Sequence, residues 1–428
     1  VSDKNLEDLE AFNGKDVFYA VSSKGTVILK LAAAMTSEEQ ALFSTEERNQ
    51  SKIAVPIEKI QLDKKSILNM RDIDASASGI LSGPKAANLG QLKQMFPDHV
   101  VEGLVIPFGI FRDHMNLPMP GQGKSYWEFL TEMFQTAEAK RKAGTPESQV
   151  VDYQLAKLAT LREAINAMEL KPSFVTELRN AFSSIFGKPI GQAPVFLRSD
   201  TNMEDLEEFT GAGLNLTLFN VVEEQKILDG IKKVWASPYT ERSFKWRQVY
   251  LSNPENVFPS ILVIPSVDVD YSGVMITKGI NEGTEKDLTV AFSRGAGGAV
   301  DGQAAETRLV TSTESKLLAP ARQPDFIRLP ASGGTKAYQT AFESSILNEK
   351  NIQSLREVAE EIRTKIPQET NSNPNSAYDV ELGFQNDKLW LFQIRPFVEN
   401  KNALSNGYLD SIAPKTNPDE YIEMDSKL

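Results

Sequence analysis

The sequence predicts an α+β protein whose first half is dominated by helices and whose second half is dominated by sheet. Three observations carry that expectation. Residues 126–186 repeat apolar side chains at helical spacing, broken only near Gly144-Thr145-Pro146 and Lys171-Pro172. From about Ser260 the texture changes to short strand-like runs, SILVIPSVDVDYSGVMIT, DLTVAF and ETRLVTS, with glycine turns between them. Near the end, YDVELGFQNDKLWLFQIRPF (378–397) alternates apolar and polar residues on both sides of Gln385-Asn386-Asp387, the pattern of a hairpin closed off by Pro396.

Taken in order, residues 1–75 (NLEDLEAF, DVFYAVSS, GTVILKLAAA) read as the closing part of a preceding domain with its linker. A helix-rich lobe over 76–260 and a sheet-rich lobe over 261–400 follow, with a tail at 401–428. LSGPKAANLGQLKQMF is a Gly-Pro turn entering a helix that lines up Ala86, Leu89, Leu92 and Phe96. VVEGLVIPFGIF reads as a short buried strand or two, and APVFLRSD as another strand. EEQKILDGIKKVWAS and YTERSFKWRQVYL are helices flanking Ser237-Pro238, and NIQSLREVAEEIRTKI is a last helix before the loop PQETNSNPNSA.

Bulk composition narrows the function classes. With 428 residues the chain exceeds one small core, so two or three domains are expected. Acidic residues outnumber basic ones 58 to 46, a net charge of −12 that disfavours nucleic acid or an anionic membrane as a general partner. No run approaches the ~18 apolar residues of a membrane span. The absence of cysteine excludes disulfides, thiolate metal sites and a cysteine nucleophile, and fits a reducing, cytoplasmic setting. His99 and His114, the two histidines, have no partner at ligand spacing, which excludes a histidine-rich zinc site.

Four segments hold the candidate chemistry. In the hairpin, apolar residues are even-numbered on both arms. Placing them on one face pairs Phe384 with Lys388 around a three-residue turn and sets Asp379 opposite Gln393, with Glu381 and Arg395 beside them. That polar face is either solvated or, because it also holds Gly383, Leu389 and Leu391, a covered cleft. Carboxylates with a carboxamide oxygen are hard ligands suited to Mg²⁺, and an arginine beside them suits a phosphate. Lys85 stands in the first turn of a helix, where free N–H groups favour an anion; it is either a phosphate contact or a solvated lysine. Arg198 closes a buried strand, and the acids from Asp200 to Asp205 read as helix caps before the close-approach glycines of TGAGL. FSRGAGGAVDGQ is a phosphate-covering loop or a plain turn.

In this order, GPKAANLGQL, PVFLRSDTNMEDLEEFTGAGLNLT, KKVWASPYTERSFKWR and YDVELGFQNDKLWLFQIRPF resemble the nucleotide-binding domain of the phosphoenolpyruvate synthase / pyruvate phosphate dikinase family over roughly residues 80–397. RSDTNMEDL, FTGAGL and KKVWAS also resemble glucan water dikinase. The resemblance implies an ATP-grasp fold, two α+β lobes closing on ATP. It implies that Lys85 and Arg198 hold the triphosphate, that Glu381 and Gln393 bind Mg²⁺ or the nucleotide with Asp379 nearby, and that Arg395 stabilises the transferring phosphoryl group. Arg242 and Arg247 would be further phosphate contacts, and adenine would lie along Leu262–Val267, against Ile264 and Val267.

The reaction implied moves the β-phosphoryl of ATP to a histidine on a separate swivelling domain and leaves AMP. Two departures stand out: Ile264-Pro265 at the adenine hinge, and Gly298 where the family's glycine loop has glutamate. No segment resembles the carrier's threonine-serine-histidine motif. Residues 5–31 are similar to the last strands of the glucan dikinase carrier domain, so the carrier histidine is expected upstream of Val1. The alternatives left open are a glucan-dikinase-like enzyme and a non-catalytic nucleotide-responsive module.

Overall fold

The computed structural model describes residues 9–21, 27–46, 52–204, 216–280, 283–297, 305–341, 345–370, 373, 375–397, 408 and 411. The chain divides into two compact units, Val1–Ser51 with Val398–Leu428, and Lys52–Phe397. In the smaller one, β1 (Val17–Val21) and β2 (Val27–Leu31) form an antiparallel hairpin followed by α1 (Ser37–Glu46). Glu39, in the first turn of α1, accepts the Thr36 N–H and pairs with Lys30 at 2.6 Å. Residues 52–75, expected to belong with this N-terminal part, pack with the main unit instead: Ile53 bridges to Leu251, and residues 68–69 enter its first sheet.

That first sheet has five strands in the order β3 (Leu68–Asn69), β4 (Leu104–Ile106), β7 (Pro259–Pro265), β5 (Val195–Thr201) and β6 (Thr217–Val221), all paired antiparallel. Around it lie α2 (Pro84–Met95), α3 (Phe108–Met115), α4 (Tyr126–Lys142), α5 (Glu147–Ala167), α6 (Pro172–Phe186), α7 (Glu224–Ala236) and α8 (Glu241–Tyr250). Local chemistry sets their ends. Ser125 and Glu128 form a reciprocal capping box at the start of α4, and Gly187 ends α6 in the left-handed conformation at φ 66°. Residues 108–111, the end of a run expected as strand, are helix instead, because the chain turns at Pro107 and buries Phe108, Ile110, Phe111 and Met115 on α3.

A second, six-stranded antiparallel sheet runs β11 (Ser315–Ala319), β10 (Glu306–Val310), β9 (Leu288–Arg294), β8 (Tyr271–Ile276), β14 (Tyr378–Gln385), β15 (Lys388–Pro396). Leu355, Val358 and Ile362 of α9 (Glu349–Thr370) share a core with Val380 and Leu382 of β14. This helix runs past Pro367, where the sequence suggested a loop; proline withholds an N–H, but Thr370 Oγ1 ties the last turn to the Ile366 carbonyl at 2.8 Å.

The strand β7 joins the two halves. It was expected to open the sheet-rich lobe, yet it lies in the middle of the first sheet, and the second sheet starts only at Tyr271. Ile261 and Val263 enter the core of the helix-rich lobe, whereas Leu262 and Ile264 enter the core of the second sheet. A strand buried on both faces reads as a continuous apolar run, which is why SILVIP shows no alternation.

The hairpin of β12 (Asp325–Arg328) and β13 (Lys336–Gln339) reaches back to the first sheet. Asn220 on β6 holds φ 52°, donates from Nδ2 to the carbonyls of Pro330 and Gly334 at 2.8 Å each, and accepts the Gly334 N–H at 2.9 Å. Among the described residues no helix is long and apolar enough to cross a membrane.

Candidate functional site

The site begins where α2 meets β5. Gly83 has no side chain to cap the helix, and Pro84 follows at the first helical position. The free N–H groups of Lys85 and Ala86 are taken by the carboxylate of Asp200, at 2.9 and 3.0 Å. Ser260 of β7 accepts the Gly83 N–H at 3.0 Å and donates to the Asp200 carbonyl at 2.7 Å. Asp200 therefore caps α2, on a helix distant in sequence, and it occupies the helix start that the sequence offered to a phosphate. Gly83 is required here, because a Cβ on it would lie 2.6 Å from Asp200 Cγ and 2.7 Å from the Thr201 carbonyl.

Lys85 turns its ammonium toward β5. It donates to the Ser199 carbonyl at 2.9 Å and pairs with the carboxylate of Glu204, with side-chain exposures of 11% and 4%. Glu204 also accepts the Thr201 N–H at 3.1 Å. Burial pushes the Glu204 carboxyl up to about 7; Lys85 opposes that shift and the neighbouring Asp200 charge adds to it. Burial raises the Asp200 carboxyl as well.

One residue before Ser199, Arg198 leaves β5 toward the second sheet. Its Nη2 donates to Gln393 Oε1 at 2.7 Å and meets Glu381 Oε2 at 3.3 Å, while Nη1 donates to the Phe392 carbonyl at 3.1 Å. Arg198, Glu381 and Gln393, nearly two hundred positions apart, thus come together at the junction of the two sheets, with Lys85 held one residue along β5, on the Ser199 carbonyl.

The hairpin register differs from the one parity suggested. Its turn has two residues, Asn386 and Asp387, both left-handed at φ 51° and 61°. Near the turn Phe384 faces Leu389 and Leu382 faces Leu391. A bulge then shifts the register, so that Glu381 faces Gln393 and Asp379 faces Arg395. Asp379 is therefore opposite Arg395 rather than Gln393, and their side chains pair at 2.8 Å. The bulge also removes Leu389 and Leu391 from the polar face: both are buried in the core with Leu382 and Phe384. Parity had missed this because one extra residue inverts the facing of all that follow it.

The remaining expected contacts are distributed differently. Arg247 is 1% exposed; it donates to the carbonyls of Pro238 and Pro254 inside the helix-rich lobe, and burial lowers its guanidinium to about 10. Those carbonyls, not a phosphate, are its partners. Arg242 is exposed on α8. Ile264 and Val267 are 1% and 8% exposed, packed within the core of the second sheet. Gly298, Asp205 and the TGAGL glycines lie outside the described residues. His114 is a packing residue, buried against Phe174 and Trp235, with Nε2 3.2 Å from the Lys171 N–H. His99 rests its Nδ1 3.0 Å from the Leu389 carbonyl.

Among the described residues no three or more histidine, cysteine or acidic side chains gather as metal ligands. Two participants escaped the sequence reading. Glu204 looked like a cap residue, and Ser260 like the edge of an apolar strand. The usable signal for Ser260 was a lone hydroxyl ahead of a run buried on both faces.

Comparison with known proteins follows the same segments. The family model described as pyruvate phosphate dikinase, AMP/ATP-binding domain, matches residues 34–411. A probable phosphoenolpyruvate synthase of Pyrococcus horikoshii is 27% identical over 264 residues, covering 57% of this chain and 31% of that protein. A probable phosphoenolpyruvate synthase of Archaeoglobus fulgidus is 24% identical over 336 residues, 77% of this chain and 41% of its own length. A rifampicin phosphotransferase of Bacillus cereus is 25% identical over 336 residues, again 77% of this chain and 35% of that protein. The chain spans between about a third and two fifths of the length of these curated relatives.

Proposed function

We propose, proceeding from the fact that this chain belongs to the pyruvate phosphate dikinase AMP/ATP-binding domain family, that it is the ATP-grasp part of a dikinase. In this reading it binds ATP and passes the β-phosphoryl group to a carrier histidine outside the described residues, leaving AMP, in the cytoplasm. The observation that carries the proposal is the meeting of Arg198 with Glu381 and Gln393, one residue along β5 from the carbonyl that holds Lys85. Phosphoryl transfer of this kind asks little covalent chemistry of the protein; it asks for cations that position and neutralise a polyphosphate.

Arg198 and Lys85 supply that charge from the first lobe. Arg395, aligned by Asp379 and 38% exposed, supplies it from the second. Arg242, exposed on α8, is the further arginine free of a buried structural role. Glu381 Oε2 and Gln393 Oε1 converge on one point, now taken by the Arg198 guanidinium, and two hard oxygens around a cationic position fit a divalent ion of the Mg²⁺ type. Glu381 and Gln393 would hold that ion. When bound, it neutralises charge on the phosphate oxygens.

Relatives named as phosphoenolpyruvate synthases and as rifampicin phosphotransferases share the domain while their names differ in substrate or product, which supports placing the final acceptor outside it. Titration calorimetry of ATP with Mg²⁺ tests the reading. Arg198→Ala and Lys85→Ala are each expected to weaken binding at least about tenfold, the effect of losing one charge-assisted bond. Unchanged affinity in both would overturn it.

A further inference from the structure

We propose that the cleft between α4 and the segment 248–256 is a second binding site in the helix-rich lobe, and that it takes a small aromatic acid, a flat apolar ring carrying a carboxylate. Lys85, Arg198, Glu381 and Gln393 do not line this cleft, so it is a site apart from the junction of the two sheets.

The cleft encloses about 920 Å³, within the roughly 300–1,000 Å³ of small-molecule sites. One wall is a face of α4, where Trp127, Leu130 and Phe134 recur at helical spacing. Trp127 and Phe134 stand two turns apart, about 10 Å along the axis, with Leu130 between them. Both aromatics are fixed by their neighbours. Trp127 stacks on Phe258 with ring centres 5.4 Å apart and carries the Arg112 guanidinium 4.1 Å over its ring. Phe134 packs 6.2 Å from Phe244. The opposite wall supplies Leu251 and Pro254, so a one- or two-ring aromatic would find apolar surface on both sides.

That opposite wall is tied down. Asn253 accepts the Val55 N–H at 2.8 Å and donates to the Val55 carbonyl at 3.0 Å. Arg247 donates to the Pro254 carbonyl, and Asn202 donates to the Asn256 carbonyl at 3.0 Å. The segment is thus pinned from residues 53–55, from α8 and from the end of β5, and it is open toward α4. Polar groups at the cleft define the other end of the ligand. Gln248 lines it, and the buried Nε2 of that residue has no hydrogen-bond partner. A buried donor left unpaired costs stability and calls for an acceptor. Lys52 donates from Nζ to the Gln248 carbonyl at 2.8 Å, a neutral partner, which fixes a positive charge beside the orphan amide. Of the other charged groups lining the cleft, Arg141 and Glu147 pair at 2.7 Å, Glu138 pairs with Lys142 at 3.6 Å, and Glu255 is exposed. A carboxylate at Gln248 would therefore meet an amide donor and an ammonium while its ring covers the apolar walls.

The experiment is ¹⁹F nuclear magnetic resonance of 4-fluorobenzoate and 4-fluorobenzylamine, each added to the full chain near neutral pH. The benzoate line is expected to broaden saturably, with a dissociation constant on the order of 1 mM for a fragment of this size. The amine is expected to bind at least about fivefold more weakly. Thr131→Trp, at an exposed α4 position lining the cleft, fills it and is expected to abolish saturable broadening. Gln248→Leu removes the amide donor but keeps the backbone carbonyl that Lys52 holds, and is expected to weaken benzoate binding about fivefold or more. Melting followed by circular dichroism checks that each variant is folded; should Thr131→Trp melt early, Gln248→Leu decides. Wild-type protein that shows no saturable broadening up to about 10 mM benzoate overturns the site, as does undiminished binding in a folded variant. An amine bound as tightly as the acid overturns the assignment of an acid.

Discussion

Arg198 and Gln393 are 195 residues apart and lie on different sheets, yet Nη2 of one is 2.7 Å from Oε1 of the other. The same guanidinium holds the Phe392 carbonyl next to the bulge and faces Glu381. Arg198 is thus both a cation offered to a ligand and a tie between the sheets. Its removal should show in stability as well as in binding. Arg198→Ala is expected to cost about 1–3 kcal/mol, the penalty for leaving buried acceptors unpaired. Denaturant titration would read this as a lower midpoint, whereas a midpoint equal to wild type would mean the tie contributes nothing.

Gly83→Ala should be among the more damaging single-methyl changes in the chain. The added carbon has nowhere to go between Asp200 and the Thr201 carbonyl, so α2 must shift and lose its cap. Overpacking and cap loss together are expected to cost about 2–4 kcal/mol. Chemical denaturation monitored by far-ultraviolet circular dichroism checks it; a loss below about 1 kcal/mol would show that the junction is looser than described.

Arg242 and Arg247 separate a surface role from a packing role. Arg247→Met strips two proline carbonyls of their buried donor and is expected to destabilise the fold by about 2–4 kcal/mol, without direct effect on nucleotide affinity. Arg242→Ala, at an exposed position, is expected to change stability by less than about 0.5 kcal/mol. Melting curves with and without ATP distinguish the two; a destabilised Arg242→Ala would contradict its exposure.

Stability should also carry the signature of Glu204. Its folded-state carboxyl stands at about 7 against an ordinary 4.5, so the folded protein binds more protons than the unfolded chain between those values. The contribution is present in full below about pH 4.5 and is lost as pH rises through about 7. Urea midpoints at pH 5 and pH 8 should fall less in Glu204→Gln than in wild type. A wild-type midpoint that rises more steeply than the variant's would reverse the sign and refute the burial argument.

Asn220 offers a test of how the β12–β13 hairpin is held. Asn220→Ala keeps a left-handed backbone that alanine disfavours and removes both bonds to the hairpin turn. A loss of about 1–3 kcal/mol is expected. Faster hydrogen exchange in residues 325–339 would localise it, and unaltered exchange there would argue against the clasp.

The sequence by itself determined which segments are helix and strand over most of the main body, because amphipathic period and turn residues act within a few positions. The breaks between helices 126–142, 147–167 and 172–186 fall at Gly144-Thr145-Pro146 and just before Lys171-Pro172, as the sequence indicated. The motif residues Lys85, Arg198, Glu381, Gln393 and Arg395 were likewise visible in the sequence. What tertiary structure alone decided was who faces whom. The hairpin bulge that aligns Glu381 with Gln393 costs ladder bonds locally and is held by packing against β8 and the core, which no local pattern reports. Asp200 capping α2, Ser260 bridging to it and Glu204 holding Lys85 are contacts between elements far apart in sequence. Arg247 looks like any cation in a motif; only its burial among proline carbonyls shows that it serves the fold.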